Sequence, residues 1–394
     1  MSDTDVVIAS ATRTPIGSFQ GAFSSLSASD LGAVAIREAV KRAGAQPEQI
    51  ERAIIGNVLS AGMGQAPARQ AVIKADLPVS TCAVTVNKVC GSGLQAVMYA
   101  RREILIGDAE VLVAGGMESM TNAPYALPAA RGGYRMGNGQ LIDTMIHDGL
   151  WDPYSDKHMG NCGDMVAEKY GFTREDQDRF ATTSYERAQA AQKEGRFKEE
   201  IVPVSVPQRR GEPLLVDEDE EPRRVKLDKM AGLRPAFSKG GTVTAANAST
   251  INDGAAALVV CSGAAAERNG YSVLARIVDD ATAAVEPKWF TIAPVEALAK
   301  LYRKTGSKPD DWDLYEINEA FSGVTMAATK EHGLDPEAVN VNGGAVSLGH
   351  PIGCSGARVL VTLLHALRDR GKKSGIATLC IGGGEAVALG VELA

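Results

Sequence analysis

This chain predicts an α/β fold made of two similar halves, on three observations. Short apolar strands alternate with helix-length amphipathic runs along most of its 394 residues, the arrangement that sets helices against sheet faces. The order of these elements occurs twice, before about residue 120 and again after residue 271. Each pass reaches a glycine-marked helix start beside a cysteine and then a strand that ends in Gly-Gly.

Val6 to Ala9 reads as the first strand, followed by a glycine-bearing loop and a helix over Ser29 to Ala43. Gly44 and Pro47 stop and turn the chain before the apolar strand Ala53-Ile54-Ile55. Cys90-Gly91-Ser92-Gly93 then opens a helix leading to the strand Val111 to Gly116. On the second pass, Leu274 to Val278 is the strand, Pro294 to Lys304 the helix, Gly306 and Pro309 the turn, and Leu314 to Ile317 the next strand. Cys354-Ser355-Gly356 opens the matching helix, before the strand from Ala377 to Gly383. This alignment sets Cys354 opposite Cys90 and predicts mostly parallel sheets with helices on both faces. Between the passes, about Thr121 to Ala246, glycine-rich loops, a helix over Arg174 to Glu194 and the charged run Asp217 to Arg224 read as an insertion. On composition alone that run is solvated surface.

A net charge of −7 and 45% hydrophobic residues give no general reason to expect nucleic-acid or membrane-surface binding. No apolar run reaches the roughly 18 residues of a membrane span. The acidic start, Met1-Ser2-Asp3-Thr4-Asp5, has no basic segment ahead of an apolar core, so the expected location is cytoplasmic. The six cysteines, at 82, 90, 162, 261, 354 and 380, show neither a C-x-x-C pair nor zinc spacing, which points away from disulfides and from a structural metal. Cys82, Cys162, Cys261 and Cys354 read as buried packing residues.

Three segments carry chemistry. In Asn87-Lys88-Val89-Cys90-Gly91-Ser92-Gly93 a thiol stands at a helix N-terminus, where unpaired N–H groups lower a thiol pKa. By itself the segment also fits an inert packing cysteine. Asn342 to Gly356 surrounds His350 with small residues, and Pro351 stiffens the chain beside it. That loop fits close approach of a ligand or a glycine-rich turn with a capping imidazole. Cys380 ends an apolar strand that opens into Gly382-Gly383-Gly384, whose N–H groups suit a developing oxyanion.

Together with Asn318-Glu319-Ala320-Phe321, these segments resemble the thiolase family, and within it the acetyl-CoA acetyltransferases. The resemblance runs from Ala11-Thr12-Arg13-Thr14-Pro15-Ile16-Gly17 to the last strand. It implies a five-layered αβαβα fold of two duplicated halves. These are residues 1–120, completed by about 247–271, and residues 272–394, with a loop domain over 121–246 that covers the active site and binds CoA. It implies a reversible ping-pong condensation of two acetyl-CoA to acetoacetyl-CoA plus CoA, or thiolysis of a 3-ketoacyl-CoA. Cys90 would carry the acyl group, His350 would take its proton, and Cys380 would exchange a proton with carbon. The N–H groups of Cys90 and Gly382 would form one oxyanion hole, and His350 with a water on Asn318 a second. Without the resemblance, Asn318 equally fits a turn or helix cap.

The resemblance also implies CoA contacts at Ser249, Ala236, Phe237, His158, Met159, Leu150 and Phe321, and a phosphate contact at Arg223 or Arg224. Phe290 would shape the acyl pocket. CoA thioesters are then substrates, with no cofactor or metal, no nucleic-acid or membrane partner, and a homotetramer built as a dimer of dimers, in fatty acid metabolism. Glu385-Ala386 stands where many relatives carry Met or Gln and then Gly, and Glu385 is expected to point away from the Cys380 thiol. Lys229 replaces a serine that some relatives place near CoA. The alternatives are a degradative thiolase of broader chain length, a decarboxylating ketoacyl synthase and a non-catalytic acyl-CoA-binding module. The Gly-His-Pro loop with Cys380 disfavours the synthase, which pairs its cysteine with two histidines or with His and Asn.

Overall fold

The computed structural model describes residues 5–394. Four of the five residues behind the no-leader reading, 1–4, lie outside the described residues. The first pass runs β1 (Val6–Arg13), α1 (Ala28–Ala43), β2 (Arg52–Gly56), α2 (Pro67–Lys74), β3 (Cys82–Val86), α3 (Ser92–Leu105) and β4 (Val111–Ser119). Residues 121–246 carry α4 (Met159–Tyr170) and α5 (Arg174–Lys193). Then come β5 (Asn252–Ser262), α6 (Gly263–Asn269), β6 (Ala275–Ala284), α7 (Ala293–Thr305), β7 (Leu314–Ile317), α8 (Ser322–His332), α9 (Ala345–Leu348), α10 (Ile352–Asp369), β8 (Ser374–Ile381) and β9 (Glu385–Leu393).

Local chemistry explains the boundaries. Helix α1 starts at a reciprocal capping box between Ser27 and Asp30 and stops at Gly44, whose φ of 71° suits glycine. Strand β1 runs past Ala9 because its polar residues are buried and paired. The Ser10 hydroxyl donates to the Ala39 carbonyl at 2.6 Å, and Arg13 pairs with Glu200 and Asp219. An amphipathic pattern cannot signal such a strand.

The strands run in the order β7-β8-β9-β6-β1-β5-β4-β2-β3. Outward from the central β1–β6 contact, the two halves have the same order and the same strand senses. A parallel bridge from Tyr315 to Val339 stands where β3 pairs with β2. The expectation of mostly parallel sheets is corrected: β1–β5, β5–β4, β6–β9, β9–β8 and β1–β6 are antiparallel. A three-residue turn joins β8 to β9, and a turn that short allows only an antiparallel pair.

Helices α1 and α2 cover one outer face through Val7, Ile36, Ala71 and Val113. Helices α7 and α8 cover the other through Leu298, Tyr315 and Ala328. Between the half-sheets α3 and α10 cross in backbone contact: a Cβ on Gly93 would lie 2.6 Å from the Ala357 nitrogen, and one on Gly356 2.4 Å from that of Leu94. Only glycine permits that approach. The crossing also corrects the repeat alignment. Cys90 immediately precedes the N-cap Gly91 of α3, and His350 immediately precedes the N-cap Pro351 of α10. His350 is therefore the structural counterpart of Cys90, while Cys354 lies fully buried in the first turn of α10. Cys82 is corrected too. It is exposed, because β3 is an edge strand with a partner on one side only.

Among the described residues, no helix is long and apolar enough to cross a membrane.

Candidate active site

Three turns deliver the chemistry. Val89 has φ 46°, a strained value for a β-branched residue, and the chain then enters α3 through Cys90 and Gly91. The N–H groups of Gly382 and of Cys90 itself lie near enough to the Cys90 sulfur to favour its thiolate. Gly382 begins the β8–β9 turn, in which Gly383 and Gly384 have φ of 91° and 89°. A Cβ on Gly384 would lie 2.5 Å from the Val285 carbonyl. Cys380, two residues before Gly382, is fully buried and close enough to Cys90 for charge on Cys90 to disfavour its own thiolate.

Burial decides the resting protonation states. It pushes the Cys90 thiol up to about 11, against the pull of the two N–H groups, with Glu118 adding to the rise. The expected lowering by the helix terminus is thus corrected: desolvation of the thiolate outweighs the backbone donors. The Cys380 thiol is raised well above its ordinary value by burial and then by Cys90. Burial, followed by the positive charge of Arg358, holds His350 down to about 3. The resting site is two thiols and a neutral imidazole.

His350 is fixed on several sides. Its backbone N–H donates to Asn252 Oδ1 at 2.9 Å, and its Nδ1 lies 2.6 Å from the Ser355 hydroxyl. Asn318 Nδ2 stands 3.5 Å from the same nitrogen, at the outer limit of a hydrogen bond. Nε2 is buried and has no hydrogen-bond partner among the described residues.

A cavity of about 550 Å³ leads to this group. Leu150, His158, Met159, Arg224, Ala236, Phe237, Ser249, Phe321 and His350 all line it. His158 caps α4 by accepting the Gly160 N–H and stacks on Phe237 at 4.7 Å. Phe237 and Phe290 each meet Phe321 edge-on, at 6.3 and 6.5 Å. Cys90, Cys380, Asn318 and Gly382 do not line the cavity; Met159, whose sulfur would lie 3.5 Å from a Cβ on Gly382, stands between. Arg223 is not brought in. It pairs with Glu218 and lines a separate groove beside Gln189 and Pro222. Lys229 does not reach the cavity either. Glu385 pairs with Lys88 rather than with either thiol.

Sequence reasoning missed three supports. Glu118 ends β4 fully buried, and its two oxygens accept from Asn57 Nδ2 and the N–H groups of Val58, Leu59 and Gly353 at 2.8–3.2 Å. It ties the chain after β2 to the first turn of α10. Glu319 accepts from Asn340, Ser184 and the Val346 N–H, which ties the Asn318 turn to the His350 loop. Asn252 is the third. An acid closing an apolar strand was the one visible signal, at Glu118; the others pair across long stretches of chain.

The family model described as thiolase, N-terminal domain, matches residues 6–264, and that described as thiolase, C-terminal domain, matches residues 271–393. The chain is 55% identical over 390 residues to an acetyl-CoA acetyltransferase of Cupriavidus necator, covering 99% of each. It is 52% identical to acetyl-CoA acetyltransferase 2 of Arabidopsis thaliana, covering 99% of this chain and 97% of the relative. Among solved structures, it matches a thiolase from Ascaris suum in complex with coenzyme A. That match has a TM-score of 0.94 and 47% identity, over 99% of this chain and 100% of the other. A Bacillus anthracis acetyl-CoA acetyltransferase matches with a TM-score of 0.97 and 43% identity, over 99% of each chain.

Proposed function

The chain belongs to the thiolase family, and on that premise we propose that it is an acetyl-CoA C-acetyltransferase working through acetyl-Cys90. It condenses two acetyl-CoA to acetoacetyl-CoA and CoA, and runs the reaction backwards as thiolysis. The observation that supports the residue assignment is the nearness of the Gly382 N–H to the Cys90 sulfur, with a second buried thiol beside it. An acyl oxygen on Cys90 would meet the same donors.

The proposed order of steps starts from two thiols and a neutral imidazole. His350 Nε2 takes the Cys90 proton as sulfur attacks the thioester carbonyl, then returns it to the departing CoA sulfur. Next the Cys380 proton passes to His350, leaving a thiolate that removes a proton from the methyl group of the second acetyl-CoA. The imidazolium holds the resulting enolate oxygen. Attack of the enolate on acetyl-Cys90 expels the Cys90 thiolate, which recovers its proton from His350. All three groups return to their neutral forms.

The segment 121–246 serves as the loop domain that covers this site, with Arg224 and Ser249 beside the thioester chain. The aromatic enclosure of Phe237, Phe290 and Phe321 supports short acyl groups. A cytoplasmic tetramer acting in fatty acid metabolism is the reading the family suggests. Incubation with labelled acetyl-CoA tests the assignment. One acetyl group per chain is expected on Cys90, and none in a folded Cys90→Ala variant. Stoichiometric label on another residue of that variant would overturn it.

A further inference from the structure

Lys88 and Glu385 form an ion pair between the two turns that build the site. Lys88 lies two residues before Cys90, and Glu385 three residues after Gly382. Between Lys88 and Cys90 stands Val89 with φ 46°. A β-branched residue there is strained and stays only where its flanks are held. Helix α3 holds one flank. Lys88 holds the other: its N–H donates to the Ser92 hydroxyl at 2.8 Å, its carbonyl accepts the Gly91 N–H at 3.0 Å, and its side chain reaches Glu385.

The acidic end of the pair is anchored. Glu385 opens β9 between Ile381 of β8 and Ala284 of β6, and the Gly384 carbonyl before it accepts the Val285 N–H at 2.7 Å. With side chains 23% and 38% exposed, such a pair adds little to global stability. Neither residue lines the substrate cavity. What the pair does is join the strained turn to the hairpin that begins at Gly382, where an added Cβ would lie 3.6 Å from the Val89 side chain.

We propose that Lys88 and Glu385 are positioning residues, a latch that keeps Cys90 in register with the Gly382 N–H and so sets the rate of acyl transfer rather than the affinity for thioester. The latch rests on the thiolase reading above. Its test is single-turnover acetylation of Cys90 by rapid quench and intact mass, with steady-state KM, in K88Q, E385Q, K88E and the swapped pair K88E/E385K. A small misplacement of a reacting atom predicts acylation slowed about tenfold in each single variant, with KM held within about twofold. The swapped pair should recover most of that loss. Both neutral variants acylating at the wild-type rate would overturn the latch, as would a loss confined to KM or a swapped pair no faster than K88E. The wild-type arm tests the underlying reading by itself: no adduct on wild-type Cys90 removes the thiolase assignment, whereas a normal adduct with unaffected variants removes only the latch.

Discussion

The Ser355 hydroxyl stands 2.6 Å from His350 Nδ1 and 2.9 Å from the Pro351 carbonyl, which can only accept. A base that works through Nε2 needs the ring proton on Nδ1, where the Ser355 hydroxyl accepts it and passes its own proton to the Pro351 carbonyl; the 2.6 and 2.9 Å contacts fit that tautomer. The first turn of α10 thus sets the tautomer of the base that precedes it.

Ser355→Ala removes that selection and leaves a buried Nδ1–H without its acceptor. An unsatisfied donor costs about 1–3 kcal/mol, so the acylation rate should fall about 5- to 160-fold. KM should change little, since Ser355 does not line the cavity. Stopped-flow release of CoA measures it, and a rate equal to wild type would show that the tautomer is set elsewhere.

Protonation gives a second test. Burial raises the Cys90 thiol to about 11, so the thiolate grows as pH rises. Alkylation of the free enzyme by iodoacetamide should therefore climb about tenfold per pH unit from 7 to 10. A plateau near pH 7 would mean a resting thiolate–imidazolium pair. His350, held down to about 3, stays neutral as pH falls from 8 to 5. Its protonation therefore puts no acid limb on acylation in that range.

Much of this was legible in the sequence, and the reasons for the rest are physical. The three glycine-rich turns announced themselves because close backbone approach demands glycine, as Gly93 and Gly356 do where α3 crosses α10. The duplication was visible, but Cys90-Gly-Ser-Gly and Cys354-Ser-Gly match by composition, whereas helix starts align Cys90 with His350. Burial of Arg13 on β1 depends on Glu200 and Asp219, both far along the chain. The Cys90 pKa was misjudged because helix N-termini are local and desolvation is not. The left-handed Val89 left no sequence signal.

Glu118 should prove as important as the residues of the thiol site, though it touches no substrate. Burial, followed by backbone donors that oppose it and by Asp253 that adds to it, places its carboxyl at about 7. Four N–H donors converge on its two oxygens. Glu118→Gln turns an amide NH₂ toward two of them, for a stability loss of about 2–4 kcal/mol. Denaturant unfolding checks this. Because Gly353 is three residues from His350, acylation should slow in the protein that remains folded. Unchanged stability and rate would make the cluster incidental.

The two thiols are separable because their settings differ. The Cys90 sulfur lies near backbone N–H groups at a helix start, which under the proposed mechanism would hold an acyl oxygen. Cys380 is fully buried within a strand, and its pKa is raised further by Cys90, so at rest it is an acid. In the proposed mechanism that is the form that would protonate carbon during thiolysis, and it would become a base only after its proton reached His350. In Cys380→Ser, acetylation of Cys90 should survive nearly unchanged. Condensation, and exchange of acetyl-CoA methyl protons with deuterated water, should fall about 10²-fold or more, the usual loss on removing a general acid or base. Mass spectrometry of the trapped adduct and NMR of the methyl signal follow both steps in one sample. Normal exchange in the variant would remove Cys380 from the role and leave His350 as the only base for both half-reactions.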